Sequence, residues 1–552
     1  GNRMLAVGPG GFYAEGYFCD YPPAYMLLLW AKAALTHALS PMTEAARLLM
    51  VKLAPILSDI GGALVLYVFA RKRVPARFAV VLTALFALNP AAIVTGSRWG
   101  QVDSLLALLL LVCAIWAMER KWHLALPLFV LAVLTKPQAL LCGLPALVWL
   151  LCSLLYHKED RKAQLLHLLY GLAGSLAVAA AIVLPFSKGH TGWQWLLDLY
   201  GETLGSYQYA SLNTANLMYL LNGNWSPLIP ENGTVTTLSW WIPAASALVL
   251  AGCGGGLLWA IGRELSLADA LRALWRRLRG VGESGPATRR LLIALVCLGF
   301  GATFAALSFL RPTFLTYGTM WMVFVNLVVL LPILAQRDAK RLPFLLALVL
   351  IGTYVLGLKI HERYLYAGIA LLFLAAASEP DRRMLWLAIG FSVTTFINTA
   401  VVLDNCLVYG ASMGHLNSDT MPLNIVLCVA NLALTGMAYY MHACDRRVPA
   451  PLAQPKPQVA EADRTYRADL LTPRDARLRM SRGEWLVVLL TTAAYAFIAF
   501  FNLGSMKAPQ SGWVSTGPEE QIVFEVGEND GFTFLYYAGV SYQDFSVATS
   551  AD

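Results

Sequence analysis

Long apolar segments recur along most of the chain, separated by short polar connections. A helix needs ~20 apolar residues to cross a bilayer, so this pattern predicts a bundle of transmembrane helices. Fourteen apolar segments stand out, several of them shorter than that, over residues 48–70, 78–96, 102–118, 124–135, 138–156, 167–186, 237–261, 291–310, 318–335, 342–358, 364–378, 384–404, 422–441 and 485–503. Lys136-Pro137-Gln138 interrupts one run, and we interpret 124–156 as a broken pair of helices that returns to its own side.

The last fifty or so residues have a different pattern. Short apolar runs at 521–526, 532–537 and 545–547 are separated by turns rich in Gly, Asn and Asp, which predicts β-strands. The stretch is too short for a sandwich of ~100 residues. The predicted fold class is therefore an all-α polytopic membrane protein with a small, incomplete C-terminal β domain.

Composition supports the membrane assignment and excludes several other classes. The chain is 58% hydrophobic and 13% charged, whereas soluble domains carry roughly 25% charged residues. Its nine cysteines include no CxxC pair, so neither a zinc site nor a disulfide framework is predicted. The net charge of +8 does not indicate nucleic acid, because the basic residues lie in the connections between apolar segments.

Those basic residues also predict the orientation. If 48–70 runs from outside to inside, most of the 41 Lys and Arg residues fall on the inner side, as membrane proteins prefer. Residues 21–39 then form a helix in the outer interface. The predicted organisation is an outer loop with this helix (1–47), a transmembrane core (48–441), an inner linker (442–484), a last span (485–503) and the β domain (504–552). The Gly/Pro-rich opening of the chain further suggests that a span precedes residue 1.

Asp20 is the first candidate for chemistry, since it precedes Tyr21-Pro22-Pro23. Each proline fixes its own φ and disfavours helix at the residue before it, so the backbone after Asp20 is expected to be extended and stiff. The orientation places this carboxylate on the outer side, at the membrane boundary.

Further ionisable residues are predicted on the same side, where intramembrane charges suggest function. Arg98 lies in the connection before a span that Gln101 and Asp103 open. Asp103 is suited to a helix N-terminus; the alternative is that it only caps the helix. Lys136 and Gln138 lie at the proline break. An unpaired ammonium there needs water, an anion or a structural partner, for which Asp59 is the alternative.

The segment Lys359-Ile360-His361-Glu362-Arg363-Tyr364 is the densest charged cluster on the outer side. His, Arg and Lys together suit a phosphate oxygen, which Arg can bind bidentately. The aromatic-rich loop 187–236 predicts either an interfacial belt or a surface facing carbohydrate or lipid.

One carboxylate on a rigid loop and several cations at one membrane depth suit sugar transfer from a lipid phosphate. The carboxylate can deprotonate an acceptor hydroxyl, and the cations can stabilise the departing phosphate. Two alternatives stay open. The proline break also suits a secondary transporter, and the donor can instead be a lipid-pyrophosphate-linked glycan, as in ligases and polymerases.

Four motifs in matching order resemble the GT-C glycosyltransferase superfamily: Asp20-Tyr21-Pro22-Pro23, Gly100-Gln101-Val102-Asp103, Lys136-Pro137-Gln138 and His361-Glu362-Arg363-Tyr364-Leu365. The nearest branch looks like the dolichyl-phosphate-glucose glucosyltransferases of N-glycan assembly and bacterial relatives of the GPI mannosyltransferases. The resemblance covers about residues 12–440. The linker, last span and β segment lie outside it.

The resemblance implies an inverting hexosyltransferase (mannose or glucose) with a GT-C fold and Asp20 as general base. It implies a polyprenyl-phosphate sugar donor, a lipid-linked, protein-linked or glycan acceptor, no metal or other cofactor and no nucleic acid. His361 and Arg363 are expected at the donor phosphate together with Lys136 and Arg98. The expected supporting residues are Tyr21, Gln101, Asp103, Gln138, Glu362 and Tyr364. The branch favours a bacterial cytoplasmic membrane with the active site facing outside, and the missing span before Asp20 would leave the chain as given inactive.

Overall fold

The computed structural model describes residues 1–14, 19, 21–156, 160–190, 192–229, 236–278, 286–334, 339–409, 421–443 and a few positions beyond 484. Asp20 lies outside the described residues. So do nearly all of the predicted inner linker, last span and β domain, of which only short pieces are described.

Helices make up nearly all of the regular structure that the described residues contain. The α-helices are α1 (Asn2–Val7), α2 (Pro23–Ala38), α3 (Glu44–Arg71), α4 (Ala76–Ala87), α5 (Pro90–Ala92), α6 (Asp103–Met118), α7 (Trp122–Thr135), α8 (Gly143–Tyr156), α9 (Arg161–Ser187), α10 (Gln194–Gly205), α11 (Leu217–Leu220), α12 (Trp241–Glu264), α13 (Leu267–Leu278), α14 (Pro286–Ser308), α15 (Phe314–Leu334), α16 (Leu342–Leu356), α17 (Tyr366–Ser378), α18 (Arg382–Tyr409) and α19 (Met421–Ala443). Short 3-10 helices cover Pro9–Gly11, Pro137–Cys142 and Ala339–Arg341, and a π-helix covers Ile93–Arg98. Two-residue strands, Val514–Ser515 and Gln521–Ile522, pair antiparallel.

Ten helices of the described residues are long and apolar enough to cross a membrane, and three shorter apolar helices accompany them. They coincide with the predicted apolar segments between residues 48 and 441. The prediction of an all-α polytopic membrane protein is confirmed at this level. The β domain stays a prediction, since only one short strand pair of it is described.

Two helices, α16 and α17, lie at the centre of the bundle, because every residue of both is buried. A helix that is apolar on all sides is expected to be surrounded by other helices. Lipid is as apolar as a leucine side chain, so close packing and small residues hold such helices together. At Gly352 in α16, a Cβ would collide with the hydroxyl of Tyr439 in α19.

Helices α6 and α7 form an antiparallel pair joined by only three residues, 119–121. The start of α6 and the end of α7 therefore lie at the same end of the bundle. The end of α16 and the start of α17 meet there too, as the contacts below show. We call this end of the bundle the site end.

Helical breaks expose polar backbone at the site end. The π-helix 93–98 precedes a turn in which Gly100 has φ +80°, and the 3-10 helix 137–142 follows α7. π-Helical turns occur frequently at functional sites. Each break places polar side chains where a continuous apolar helix would have run.

The long connection between α9 and α12 folds back onto the segment that joins α16 to α17. The Leu212 N–H donates to the Ile360 carbonyl at 3.2 Å, and the Thr214 hydroxyl donates to the same oxygen. Asn398 in α18 fixes the turn, because its amide accepts from the Ala215 N–H and donates to the Asn213 carbonyl, both at 2.9 Å. These bonds fix the position of residues 357–365.

Aromatic residues of this connection are divided between the interior and the surface. Trp195 is buried against Tyr13, with ring centroids 5.6 Å apart, and Tyr209 packs on Trp225 at 5.0 Å. Trp193, by contrast, is 58% exposed. The predicted interfacial belt thus describes only some of the aromatic residues in loop 187–236, since several of their rings pack against other parts of the protein.

Candidate functional site

A buried ion pair joins the start of α6 to the end of α7. The Lys136 ammonium lies 2.6 Å from Asp103 Oδ1, and the two side chains are 6% and 2% exposed. Asp103 makes no capping bond to its own helix, for which Val102 is the N-cap. The alternative of a purely capping role is therefore not supported.

The alternative pairing of Lys136 with Asp59 is wrong. Asp59 in α3 accepts a hydrogen bond from the Tyr366 hydroxyl at 2.7 Å. Lys136 instead finds its carboxylate on the neighbouring helix of the α6–α7 pair. The ammonium at the proline break is thus compensated within the protein.

The connection between α16 and α17 contributes a second pair next to the first. Arg363 Nη1 lies 2.6 Å from Glu362 Oε1, and Arg363 Nε lies 3.8 Å from Asp103 Oδ2. His361 Nδ1 is 3.8 Å from the other Glu362 oxygen. Two cations and two carboxylates therefore form one contiguous group, which we call the ion cluster (Asp103, Lys136, Glu362 and Arg363).

Charges in this connection are set mainly by burial and by neighbouring ions. Burial raises the pKa of Glu362, but the charge of Arg363 and the hydrogen bond from His361 outweigh it and hold this pKa at about 2. Burial lowers the pKa of His361 in spite of the adjacent carboxylate, so the ring is neutral at pH 7. Burial also opposes the charge of Arg363, yet Glu362 and Asp103 raise its pKa above the usual range. The ion cluster thus has as many negative as positive charges.

Aromatic rings enclose the ion cluster. The Arg363 guanidinium lies 5.1 Å from the centroid of Trp99, and the Lys136 ammonium lies 4.4 Å from that of Tyr364. Tyr207, from the α9–α12 connection, meets His361 edge to face at 5.1 Å. A cation over an aromatic face is stabilised by up to ~2 kcal/mol when water is excluded, so the rings help to keep both cations in place.

Two buried oxygen atoms of the site make no hydrogen bond to any described residue. They are Asp103 Oδ2 and Gln138 Oε1. Gln138 is itself held by its other amide atom, because Nε2 donates to the Tyr364 carbonyl at 2.6 Å. Buried acceptors normally have partners. These two can accept hydrogen bonds from the hydroxyl groups of a bound ligand.

Tyr21, in the segment before α2, lies next to the ion cluster. Burial raises the pKa of its phenol, and Arg363 and Asp103 are both close enough for their charges to affect that pKa. The Tyr21 carbonyl accepts from the Tyr13 hydroxyl at 2.7 Å, and its ring lies 4.9 Å from that of Tyr25. Asp20, the residue before Tyr21, lies outside the described residues.

Two predicted residues lie beside the ion cluster and outside it. Arg98 ends the π-helix and lies close to Lys52 of α3. Gln101 follows in the turn, where its backbone N–H donates to the Thr95 carbonyl at 3.0 Å. Tyr21, Asp103, Lys136, Gln138 and residues 361–364 come together as one group, whereas Arg98 approaches α3.

Lys52 is a buried basic residue beside the site that the sequence prediction did not include. It is 1% exposed, and its ammonium makes no hydrogen bond to any described residue. The signal was present in the sequence: Lys52 stands near the start of an apolar run, with no acidic residue three or four positions away on either side. A lone lysine in a membrane helix is by default a candidate functional residue.

Metal ligands do not cluster in the part of the chain that the structure describes, where no group of three or more His, Cys, Asp or Glu side chains can hold an ion. The ion cluster combines each of its carboxylates with a cation, an arrangement unlike the oxygen-rich sites that Mg²⁺ or Ca²⁺ prefers.

No protein-family model matches the chain, and no curated protein matches it.

Proposed function

We propose that this chain is a GT-C-type hexosyltransferase. It moves mannose or glucose from a polyprenyl-phosphate donor to an acceptor hydroxyl, with inversion, and Asp20 is the general base. The site faces the outer side of a bacterial cytoplasmic membrane. The observation that carries the proposal is the approach of Tyr21, next to Asp20, to Arg363 and Asp103.

The proposed reaction has a simple bond balance. Asp20 removes the proton of the acceptor hydroxyl as its oxygen attacks the anomeric carbon of the donor sugar. The bond from that carbon to the phosphate oxygen breaks, and its electron pair remains on the phosphate. Attack from the face opposite the leaving group inverts the anomeric centre. A positioned base typically contributes ~10²–10⁴-fold to such a step.

The ion cluster supports this chemistry by being held in place before substrate arrives. Arg363 is fixed by Glu362 and by the Trp99 ring, so its remaining donors keep one orientation. Preorganised donors cost little reorganisation when charge develops on a leaving group. The open oxygens of Asp103 and Gln138 suit the sugar hydroxyls. A lipid-linked donor also gives a physical reason for building the site between membrane helices.

The test compares the wild type with Asp20→Asn in reconstituted membranes that receive labelled polyprenyl-phosphate mannose or glucose and an acceptor extract. Transfer is expected to fall by at least about 10²-fold, while helicity and thermal stability stay at the wild-type level. Asp198→Asn, an exposed carboxylate in α10, is the matched control and should transfer normally.

Three results would contradict the proposal. Full turnover in the Asp20→Asn protein would remove Asp20 as the base. Transfer only from a lipid-pyrophosphate-linked glycan would change the donor class. Gradient-driven sugar uptake by the vesicles, without any transfer product, would support a transporter instead.

A further inference from the structure

Lys52 is buried near the beginning of α3, at the site end of the bundle. Its side chain is 1% exposed, and its ammonium makes no hydrogen bond to any residue that the structure describes. Removing an ion from water costs several kcal/mol when no counter-charge replaces the lost hydration. The residue therefore fits a site that an anion completes.

The described side chains of the same helix do not supply the missing counter-charge. Asp59 lies seven positions further along α3, about 10 Å along the helix axis, and its carboxylate accepts from the Tyr366 hydroxyl at 2.7 Å. Met, Val, Leu and Ala are the immediate neighbours of Lys52 in sequence. None of the α3 side chains that the structure describes therefore neutralises Lys52.

The surroundings of Lys52 add positive charge. Arg98 is close enough for the two cations to repel each other. Lys32 of α2 donates to the carbonyl of Val51, the residue before Lys52. The Gly100 turn closes over the lysine stem, since a Cβ at Gly100 would lie 3.5 Å from Lys52 Cγ. Lys52 and Arg98 thus bring two like charges together, and a third basic residue, Lys32, binds the adjacent backbone.

The ion cluster next to this region has no surplus charge. Lys136 is matched by Asp103 at 2.6 Å, and Arg363 is matched by Glu362 at the same distance. Arg98 and Trp99 are consecutive, and Trp99 lies beneath the Arg363 guanidinium. The region around Lys52 therefore adjoins the ion cluster and, unlike the cluster, carries a lysine that lacks a described counter-ion.

We infer that Lys52, with Arg98 beside it, binds the phosphate of the prenyl-phosphate donor, in a position separate from His361 and Arg363. This inference rests on the proposed function. During transfer the donor phosphodiester, with one negative charge, becomes a prenyl phosphate monoester with up to two. A cation that lacks a counter-ion stabilises this increase more than one already paired with a carboxylate. Arg363 then meets the charge that develops on the bridging oxygen between sugar and phosphate, and Lys52 binds the other phosphate oxygens.

The experiment measures binding to the full-length chain in nanodiscs of neutral phosphatidylcholine. Farnesyl phosphate is the probe and farnesol is its uncharged analogue. Lys52→Met is expected to weaken farnesyl phosphate binding by about tenfold or more, and to leave farnesol binding unchanged. Lys52→Arg should retain binding within a few-fold of the wild type. Lys188→Met, which removes an exposed lysine after α9, is the matched control. Should Lys52→Met fail to insert, Lys52→Gln replaces it.

Two outcomes would overturn the inference. One is equal farnesyl phosphate affinity in the wild type and in Lys52→Met. The other is a Lys52-dependent affinity for phosphatidylglycerol that equals that for farnesyl phosphate, since the site would then hold a lipid headgroup.

A parallel transfer assay separates this inference from the proposed function. Lys52-dependent binding without any sugar transfer by the wild type would reject the proposed function alone. Normal transfer and normal farnesyl phosphate affinity in Lys52→Met would reject the phosphate site alone.

Discussion

Breaking the Asp103–Lys136 pair tests whether the ion cluster is built as described. In Asp103→Asn, Lys136 loses its counter-charge at 2.6 Å and keeps an uncharged amide oxygen and the face of Tyr364 at 4.4 Å. Removing one partner of a buried pair costs about 3–5 kcal/mol, because the remaining charge has no compensation. We expect this loss in the free energy of unfolding.

Removing Lys136 instead of Asp103 should reduce the free energy of unfolding by less, because Asp103 has a second cation nearby. In Lys136→Met, Asp103 still has Arg363 at 3.8 Å, and a small shift can bring that guanidinium into contact. The expected loss is about 1–3 kcal/mol, the cost of a buried acceptor with incomplete hydrogen bonding. The structure thus predicts an order, with Asp103→Asn more destabilised than Lys136→Met.

The double variant, Asp103→Asn with Lys136→Met, completes a double-mutant cycle. Without either charge no ion stays buried and uncompensated, so the double variant should be more stable than Asp103→Asn alone. Unfolding is followed by far-UV circular dichroism in mixed micelles with increasing SDS, and Asp198→Asn serves as the control. If the two single effects add within about 0.5 kcal/mol, the residues do not interact and the geometry described above is wrong.

Two further changes test neighbouring parts of the site. Asn398→Ala leaves the Ala215 N–H and the Asn213 carbonyl without their amide partner, which should lower the free energy of unfolding by about 1–3 kcal/mol for each buried group. The same SDS titration measures this loss, with Asn326→Ala as the control. Equal losses of stability in both variants would contradict the role of Asn398. Burial lowers the pKa of His361 below its ordinary value of 6.5, so the unfolded chain binds the proton more readily and the free energy of unfolding should fall as pH drops below about 6.5. His361→Asn should make that fall shallower, and identical slopes in the variant and the wild type would refute the burial of a neutral ring.

Hydropathy alone was sufficient to find the transmembrane helices. Between residues 48 and 441, the predicted segments coincide with helices of the structure, including the break at Pro137. A chain in lipid must satisfy its backbone hydrogen bonds internally, so a long apolar segment has almost no alternative to a helix. The short helix α13 was missed, because its mixed apolar and charged sequence has no long apolar run.

The partners of the charged residues were harder to predict. Asp103 and Lys136 are 33 positions apart, yet α6 and α7 are neighbours of similar length joined by three residues. That arrangement alone places the start of one helix level with the end of the other, so this ion pair could have been predicted from the sequence. The Asp59–Tyr366 contact was not, since it spans 307 positions and depends on how α17 packs against α3.

The difference between Lys136 and Lys52 shows why charge balance distinguishes structural from binding roles. Both lysines are buried at the site end. The carboxylate of Lys136 is supplied by a neighbouring helix, whereas the described side chains of α3 offer Lys52 only a distant Asp59. A paired ion is stable in the empty protein and gains little from a ligand. An ion without a described partner gains the full interaction when an anion arrives, so its stabilisation depends on occupancy. Lys52→Met should therefore keep or raise the melting temperature of the empty protein and reduce the further rise that farnesyl phosphate produces.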